Sequence, residues 1–314
     1  MNYDRYLNAR VAAVPPSGIR RFFDLAATMK DTISLGVGEP DFITPYHIRN
    51  AAINSIVDGE TQYTPNRGLL ALREEISGYL QGRYQITYDP QKEILVTVGA
   101  SESIDVALRA LISDGDEVLV PEPSYVSYSP SVIFAGGTPV GVETREDMDF
   151  RLSAQRVREA ITPRTKALIL PYPNNPTGAV MGREELEELA QVVRERELLV
   201  ISDEIYSELT YGGEHVSFAS LPGMWPYTLT INGFSKSFAM TGWRMGYLCA
   251  PAAFTDVMCK IHQYTILCAS RQGQVAAEEA LRQGREDGYA DVVSMRESYN
   301  QRRRLMVQSF RDMG

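Results

Sequence analysis

ALILPYP (residues 167–173), REELEELAQVVRERE (183–197) and LLVISDEIY (198–206) are the stretches that decide the fold. The first and third are short apolar runs, whereas the second is charged and has leucines at helical spacing. An amphipathic helix between two apolar strands is typical of parallel strands covered on both faces. The same rhythm continues from EILVTV (93–98) to TLTINGFSK (228–236). We therefore predict an α/β fold, with a three-layer α/β/α large domain and a mostly parallel sheet.

The chain divides into three predicted parts. Residues 1–47 are rich in Pro and Gly and are expected to form an N-terminal arm and part of a small domain. Residues 48–287 contain the alternating strands and helices and form the large domain. Residues 288–314 have apolar side chains at helical spacing and are predicted to form one long connecting helix.

Composition excludes several classes of protein. The 314 residues are 44% hydrophobic and 23% charged, as in ordinary globular proteins, and the net charge of -9 argues against nucleic-acid or anionic-membrane partners. Three cysteines without CxxC spacing and three scattered histidines predict neither a disulfide framework nor a metal site. No signal peptide or membrane-spanning stretch is recognisable, so we expect a cytoplasmic protein.

Polar motifs follow the ends of four predicted strands. They are Gly99-Ala100-Ser101, residues 174–178 (NNPTG), residues 203–206 (DEIY) and Ser235-Lys236. Ligands of such sheets bind in the crevice beyond the carboxyl ends of the strands. The four motifs are therefore expected to converge on one site.

Lys236 is the candidate amine nucleophile among five lysines. It alone lies at a Gly/Ser-rich strand end, where partial burial would lower its pKa and favour the reactive neutral amine, although this position by itself also fits an ordinary surface lysine. The others, which precede strands or lie in helical or arm segments, are Lys30, Lys92, Lys166 and Lys260.

GFSKSFAMTGWRMG (233–246) resembles the attachment signature of class I and II aminotransferases, which are fold type I enzymes dependent on pyridoxal 5'-phosphate (PLP). The nearest subgroup is that of the bacterial aspartate and aromatic aminotransferases. The resemblance implies that residues 48–287 bind PLP and that Lys236 holds it as a Schiff base. It also implies that Arg244, whose planar guanidinium can grip a phosphate through two hydrogen bonds, and Ser235 bind the cofactor phosphate.

Further residues match the family at the cofactor ring. Asp203 would pair with the pyridine nitrogen, while Tyr206 and Asn175 would bind the phenolic oxygen, so that Lys236, Asp203 and Tyr206 are the expected catalytic residues. Tyr125 would stack on the ring, and its neighbour Tyr128 is expected only to pack. Glu204, which faces the opposite side of its strand, is expected to be solvated or structural.

The resemblance also covers the phosphate and the substrate. The turn Gly99-Ala100-Ser101, which leads into a helix, matches the phosphate-binding cup. Tyr63 resembles the tyrosine that reaches the phosphate of the other subunit, which implies a homodimer. Gly38 matches the arm segment that closes over the substrate, and Asn175 is also implied in substrate binding.

The implied activity is transfer of an amino group between an amino acid and a 2-oxo acid. A PLP-dependent lyase of the same fold, such as a C–S β-lyase or an aminocyclopropanecarboxylate-synthase-like enzyme, is one alternative. A non-catalytic regulatory domain is another, although such regulators carry a basic, helical DNA-binding domain, which residues 1–47 do not resemble.

Two departures from the family bear on substrate. The family continues beyond the long helix into a small domain with an arginine that clamps the substrate carboxylate, whereas this chain ends at Gly314. We therefore expect a truncated chain with an incomplete small domain, in which PLP binding survives better than turnover. Ser101 stands where some aspartate-specific members have a lysine, so aromatic, alanine-like and diaminopimelate-type substrates stay open.

Overall fold

The structure is a computed structural model, and it describes residues 1–16, 18, 25, 28–29 and 38–314. Much of the predicted arm, with Lys30, lies outside the described residues. The strands are β1 Ile94–Thr97, β2 Glu117–Glu122, β3 Thr138–Glu143, β4 Thr165–Leu170, β5 Leu199–Asp203, β6 Thr228–Gly233 and β7 Gly246–Cys249. The α-helices are α1 Ala9–Ala12, α2 Tyr46–Val57, α3 Leu70–Tyr84, α4 Gly99–Leu111, α5 Tyr128–Phe134, α6 Ala154–Ala160, α7 Arg183–Arg196, α8 Ala252–Ile266, α9 Arg271–Asp287 and α10 Ala290–Met313.

The seven strands form one mixed sheet in the order β1-β7-β6-β5-β4-β2-β3. Strands β3, β2, β4, β5 and β6 are parallel neighbours, whereas β7 lies antiparallel between β6 and β1. Helices cover the sheet because its central strands are apolar on both faces, as in β4 and β5. The predicted α/β fold with a mostly parallel sheet is confirmed.

Helix α7 shows how the local sequence specifies these elements. Glu184 and Glu185 lie in its first turn and Arg194 and Arg196 in its last, so the charges complement the helix dipole at both ends. Its leucines, among them the fully buried Leu189, pack in an apolar cluster with side chains of β4 and β5. The amphipathic pattern thus orients the helix against the sheet.

The last helix, α10, has 24 residues and lies within the segment 288–314. Only Val292 and Met295 of this helix are buried. Its role as a connection between domains stays a prediction. In the described part of the chain, no helix is both long and apolar enough to cross a bilayer.

Candidate active site

The polar strand ends meet at one edge of the sheet. Strands β4, β5 and β6 are parallel neighbours, so their carboxyl ends bring together the Asn175 turn, Asp203 and the segment before Lys236. Strand β7 runs the opposite way, and its first residue, Gly246, therefore also lies at this edge. A Cβ added to Gly246 would lie 2.5 Å from the carbonyl carbon of Gly99, which places the turn after β1 beside it.

Asp203 is the buried acid of this cluster. Its Oδ2 accepts a hydrogen bond of 2.8 Å from the hydroxyl of Tyr128, and its Oδ1 accepts one of 3.3 Å from the backbone N–H of Ile205. Burial raises the pKa of the Asp203 carboxyl to about 6, and the two hydrogen bonds oppose that rise only in part. No basic group of the described chain lowers this pKa. The site can therefore accommodate a cationic group of a ligand.

Lys236 lies on the open side of the cluster. Its Nζ is 5.5 Å from the centroid of the Tyr206 ring and donates a hydrogen bond of 2.5 Å to the carbonyl of Gly38. Burial lowers the pKa of the Lys236 ammonium, Glu39 acts against this change, and Arg244 lowers the pKa further. A partly desolvated amine beside a second cation is suited to act as a nucleophile.

Aromatic side chains connect the amine to the buried acid. Burial raises the pKa of Tyr206 to about 12, the charge of Asp203 adds to this rise, and the nearby side chain of Asn175 opposes it. Tyr125, 37% exposed, contacts Tyr128 edge-on with ring centroids 5.6 Å apart. Phenol rings therefore lie between the Lys236 amine and the buried Asp203 carboxyl.

Gly99 and Arg244 form the cationic end of the site. Gly99 has φ +73°, and a Cβ added to it would lie 2.6 Å from Nη2 of Arg244, so glycine allows the guanidinium to lie against the turn. Ala100 and Ser101 follow in the first turn of α4, which has no side-chain cap. Ser235 is buried just after β6. Free N–H groups at a helix N-terminus beside a guanidinium favour an anion.

Tyr63 was also predicted as a site residue, but within a single chain it does not lie in this cluster. It lies between α2 and α3 and is 81% exposed, and no hydrogen bond or ring contact of the described residues joins it to the others. Exposed apolar side chains lie on the neighbouring helix and on α8, namely Ile53, Ile56, Val57 and Tyr264.

The roles of Tyr128 and Glu204 differ from those expected from the sequence. Tyr128 is buried but does more than pack, because it donates to Asp203. Glu204 is not solvated: it is buried and binds the imidazole of His215 at 2.9 Å, with two serine hydroxyls as further donors. Of the two roles expected for Glu204, solvated or structural, these contacts agree with the structural one. Tyr125 precedes α5 in a turn whose carbonyl accepts a hydrogen bond from the Tyr128 N–H, and the sequence carried no periodic signal that both rings face one site.

Comparison with known proteins places these features in a family. The model of the family described as aminotransferase class I and II matches residues 30–314. A putative aminotransferase of Bacillus subtilis is 50% identical over 309 residues, covering 98% of this chain and 79% of that protein. An aspartate aminotransferase of Pyrococcus abyssi is 47% identical over the same lengths.

Solved structures agree with this assignment. The aspartate aminotransferase of Thermus thermophilus with maleate has a TM-score of 0.93 and 39% identity, covering 98% of this chain and 81% of that one. An aromatic aminotransferase of Pyrococcus horikoshii has a TM-score of 0.88 and 44% identity over 94% of this chain and 78% of that one. The predicted transamination is confirmed, and the lyase and regulatory alternatives are not favoured. This chain belongs to the class I and II aminotransferases.

Proposed function

We propose that this aminotransferase binds PLP between Asp203 and Arg244 and uses Lys236 as its reactive amine. The observation that carries the proposal is the buried Asp203 carboxylate, which lies beside Tyr128 at the end of β5 without a basic partner in the described chain. When bound, PLP supplies an electron sink for the electron pair left by breaking the substrate α C–H bond. This chemistry requires a protonated ring nitrogen.

The ring end of the site fits such a cofactor. Asp203 would hold the proton on the ring nitrogen, and a cation there would offset the cost of burying the carboxylate. Tyr128 keeps that carboxylate in place and favours its ionised form through a 2.8 Å hydrogen bond. Tyr206 and Asn175 would donate to the phenolic oxygen, and Tyr125 would cover the face of the ring.

The phosphate end fits as well. The N–H groups of Ala100 and Ser101 lie at the uncapped start of α4. The guanidinium of Arg244 rests against Gly99 at the same place, and the hydroxyl of Ser235 is an additional donor. A phosphate dianion would gain hydrogen bonds and a cationic partner here.

Lys236 would act twice. Its lowered pKa increases the fraction of neutral amine, which is the form that can attack the aldehyde of the cofactor. Once a substrate amine has displaced it, Nζ would accept the proton of the substrate α-carbon. The substrates are an amino acid and a 2-oxo acid, with Gly38 and Asn175 beside the substrate.

The absorbance of the purified chain with PLP tests this assignment. Covalent attachment to Lys236 should give a new absorbance band, and Lys236→Ala should abolish it. Lys166→Ala is the matched control, because Lys166 is half-exposed and pairs with Asp116 at the start of β4, away from Asp203 and Arg244. An unchanged band in Lys236→Ala would overturn the proposal.

We further propose a homodimer in which Tyr63 reaches the phosphate of the partner's cofactor. The support is the exposed ring of Tyr63 and the exposed apolar side chains of α2 and α8. Sedimentation should give a dimer for the unaltered protein and for Tyr63→Phe. The variant should bind PLP more weakly, because a hydroxyl donor to phosphate is lost. A monomer with undiminished PLP affinity would contradict this arrangement.

A further inference from the structure

Glu102 joins the start of helix α4 to a second helix. Its Oε2 accepts a hydrogen bond of 2.5 Å from the backbone N–H of Val98, the residue just before α4. Its Oε1 lies 2.8 Å from Nδ1 of His262, which belongs to α8. Because an ionised carboxylate only accepts hydrogen bonds, Nδ1 carries the hydrogen whether His262 is neutral or charged.

Burial of the His262 imidazole is energetically unfavourable at its position in the fold. It is fully buried, and its other ring nitrogen, Nε2, has no hydrogen-bond partner among the described residues. A buried polar atom without a partner costs free energy that an apolar side chain of similar size would not. Packing alone therefore does not account for the imidazole, whereas its bond to Glu102 does.

The carboxylate of Glu102 stands close to the proposed phosphate site. An acidic side chain in the first turn can turn towards the free N–H groups of its own helix and satisfy them. Here the carboxylate is directed instead to Val98 and His262, and the start of α4 has no side-chain cap. The N–H groups of Ala100 and Ser101 are thereby left for another anion.

We propose that the Glu102–His262 pair positions the start of α4 for the cofactor phosphate by holding the Glu102 carboxylate away from the N–H groups that bind it. This inference rests on the proposed function, because it requires bound PLP. His262 would be a positioning residue, acting through Glu102 and not by contact with the cofactor. Its effect should depend on the phosphate and not on the ring.

Dissociation constants of the full chain for PLP and for pyridoxal, which lacks the phosphate, separate an effect on phosphate binding from an effect on ring binding. His262→Leu should weaken PLP binding by about tenfold, the scale of one charge at a helix N-terminus, and should change pyridoxal binding by less than about twofold. Glu102→Gln combined with His262→Leu should restore PLP affinity to within about threefold, because the freed group is then neutral. His47→Leu, which breaks a pair with Asp291 elsewhere, should leave both constants unchanged.

Glu102→Asp provides a second test that keeps His262. The shorter side chain cannot reach both Val98 and His262 but keeps its charge, so the preference for PLP over pyridoxal should fall, whereas Glu102→Gln alone should preserve it. Equal losses for PLP and pyridoxal in His262→Leu and Glu102→Asp would overturn the inference and leave the proposed function intact. Failure of the unaltered protein to bind either ligand would overturn both.

Discussion

Replacing Asp203 by asparagine is expected to stabilise the protein at neutral pH when PLP is absent. The carboxyl has a pKa of about 6 in the folded chain against an ordinary value of 3.8, so the folded state binds this proton more tightly than the unfolded state. The stability that the group contributes is complete below the ordinary pKa and is lost as the pH rises through about 6. A difference of about two pKa units corresponds to roughly 3 kcal/mol above that pH.

Urea unfolding across this pH range measures the effect. The unaltered apoprotein should lose stability relative to Asp203→Asn between the two pKa values. The difference in unfolding free energy between the two proteins should level off above neutrality at no more than roughly 3 kcal/mol. Asp149→Asn is the control, because the Asp149 side chain is 82% exposed and its replacement should produce no comparable gap. Adding PLP should reverse the order, since only the ionised carboxylate pairs with the ring nitrogen. Parallel pH profiles for the unaltered protein and Asp203→Asn would refute this account of the buried acid.

Three further substitutions test other contacts. Tyr128→Phe removes a hydrogen bond to a charged group, worth about 1.5–3 kcal/mol, so the pH at which the loss of apoprotein stability levels off should rise by about one to two units; an unshifted profile would contradict the contact. Gly99→Ala forces a left-handed residue and a Cβ against Arg244, and calorimetry should show PLP affinity reduced more than pyridoxal affinity, whereas equal losses would argue against a phosphate site. Arg83→Met should cost about 3 kcal/mol in urea unfolding, because buried Glu208 loses two hydrogen bonds from the guanidinium; a loss below about 1 kcal/mol would show that Glu208 finds other partners.

The sequence predicted the strand-and-helix order because each element there has its own periodicity. Helix α7 and strand β5 follow directly from the patterns at 183–206, and the polar ends of the parallel strands could be expected to converge. The antiparallel placement of β7 could not be predicted, since four residues, GYLC, carry no signal of direction. Direction comes from pairing with β1 and β6, which is not local.

Glu204 shows a second limit of sequence reasoning. Alternation along a strand correctly separates it from Asp203, but alternation does not say whether the opposite face is open to water. His215 and Ser217, which follow in a later loop, cover that face and bind the carboxylate. Likewise, the contact between Tyr128 and Asp203 joins residues 75 positions apart and depends on how α5 sits on the sheet.

The pairing of β1 with β7 has a consequence for the order of events during translation. It joins Thr97 to Gly246, and Gly246 is also the residue against which the Gly99 turn packs. At about 5–20 residues per second, roughly 7–30 s separate the synthesis of the two strands. During that interval both edges of β1 are unpaired, and Arg244 and Gly246, which contact the Gly99 turn, have not yet been made. Under the proposed function, cofactor binding therefore follows synthesis of Arg244, and β1 waits without its partner strand until then.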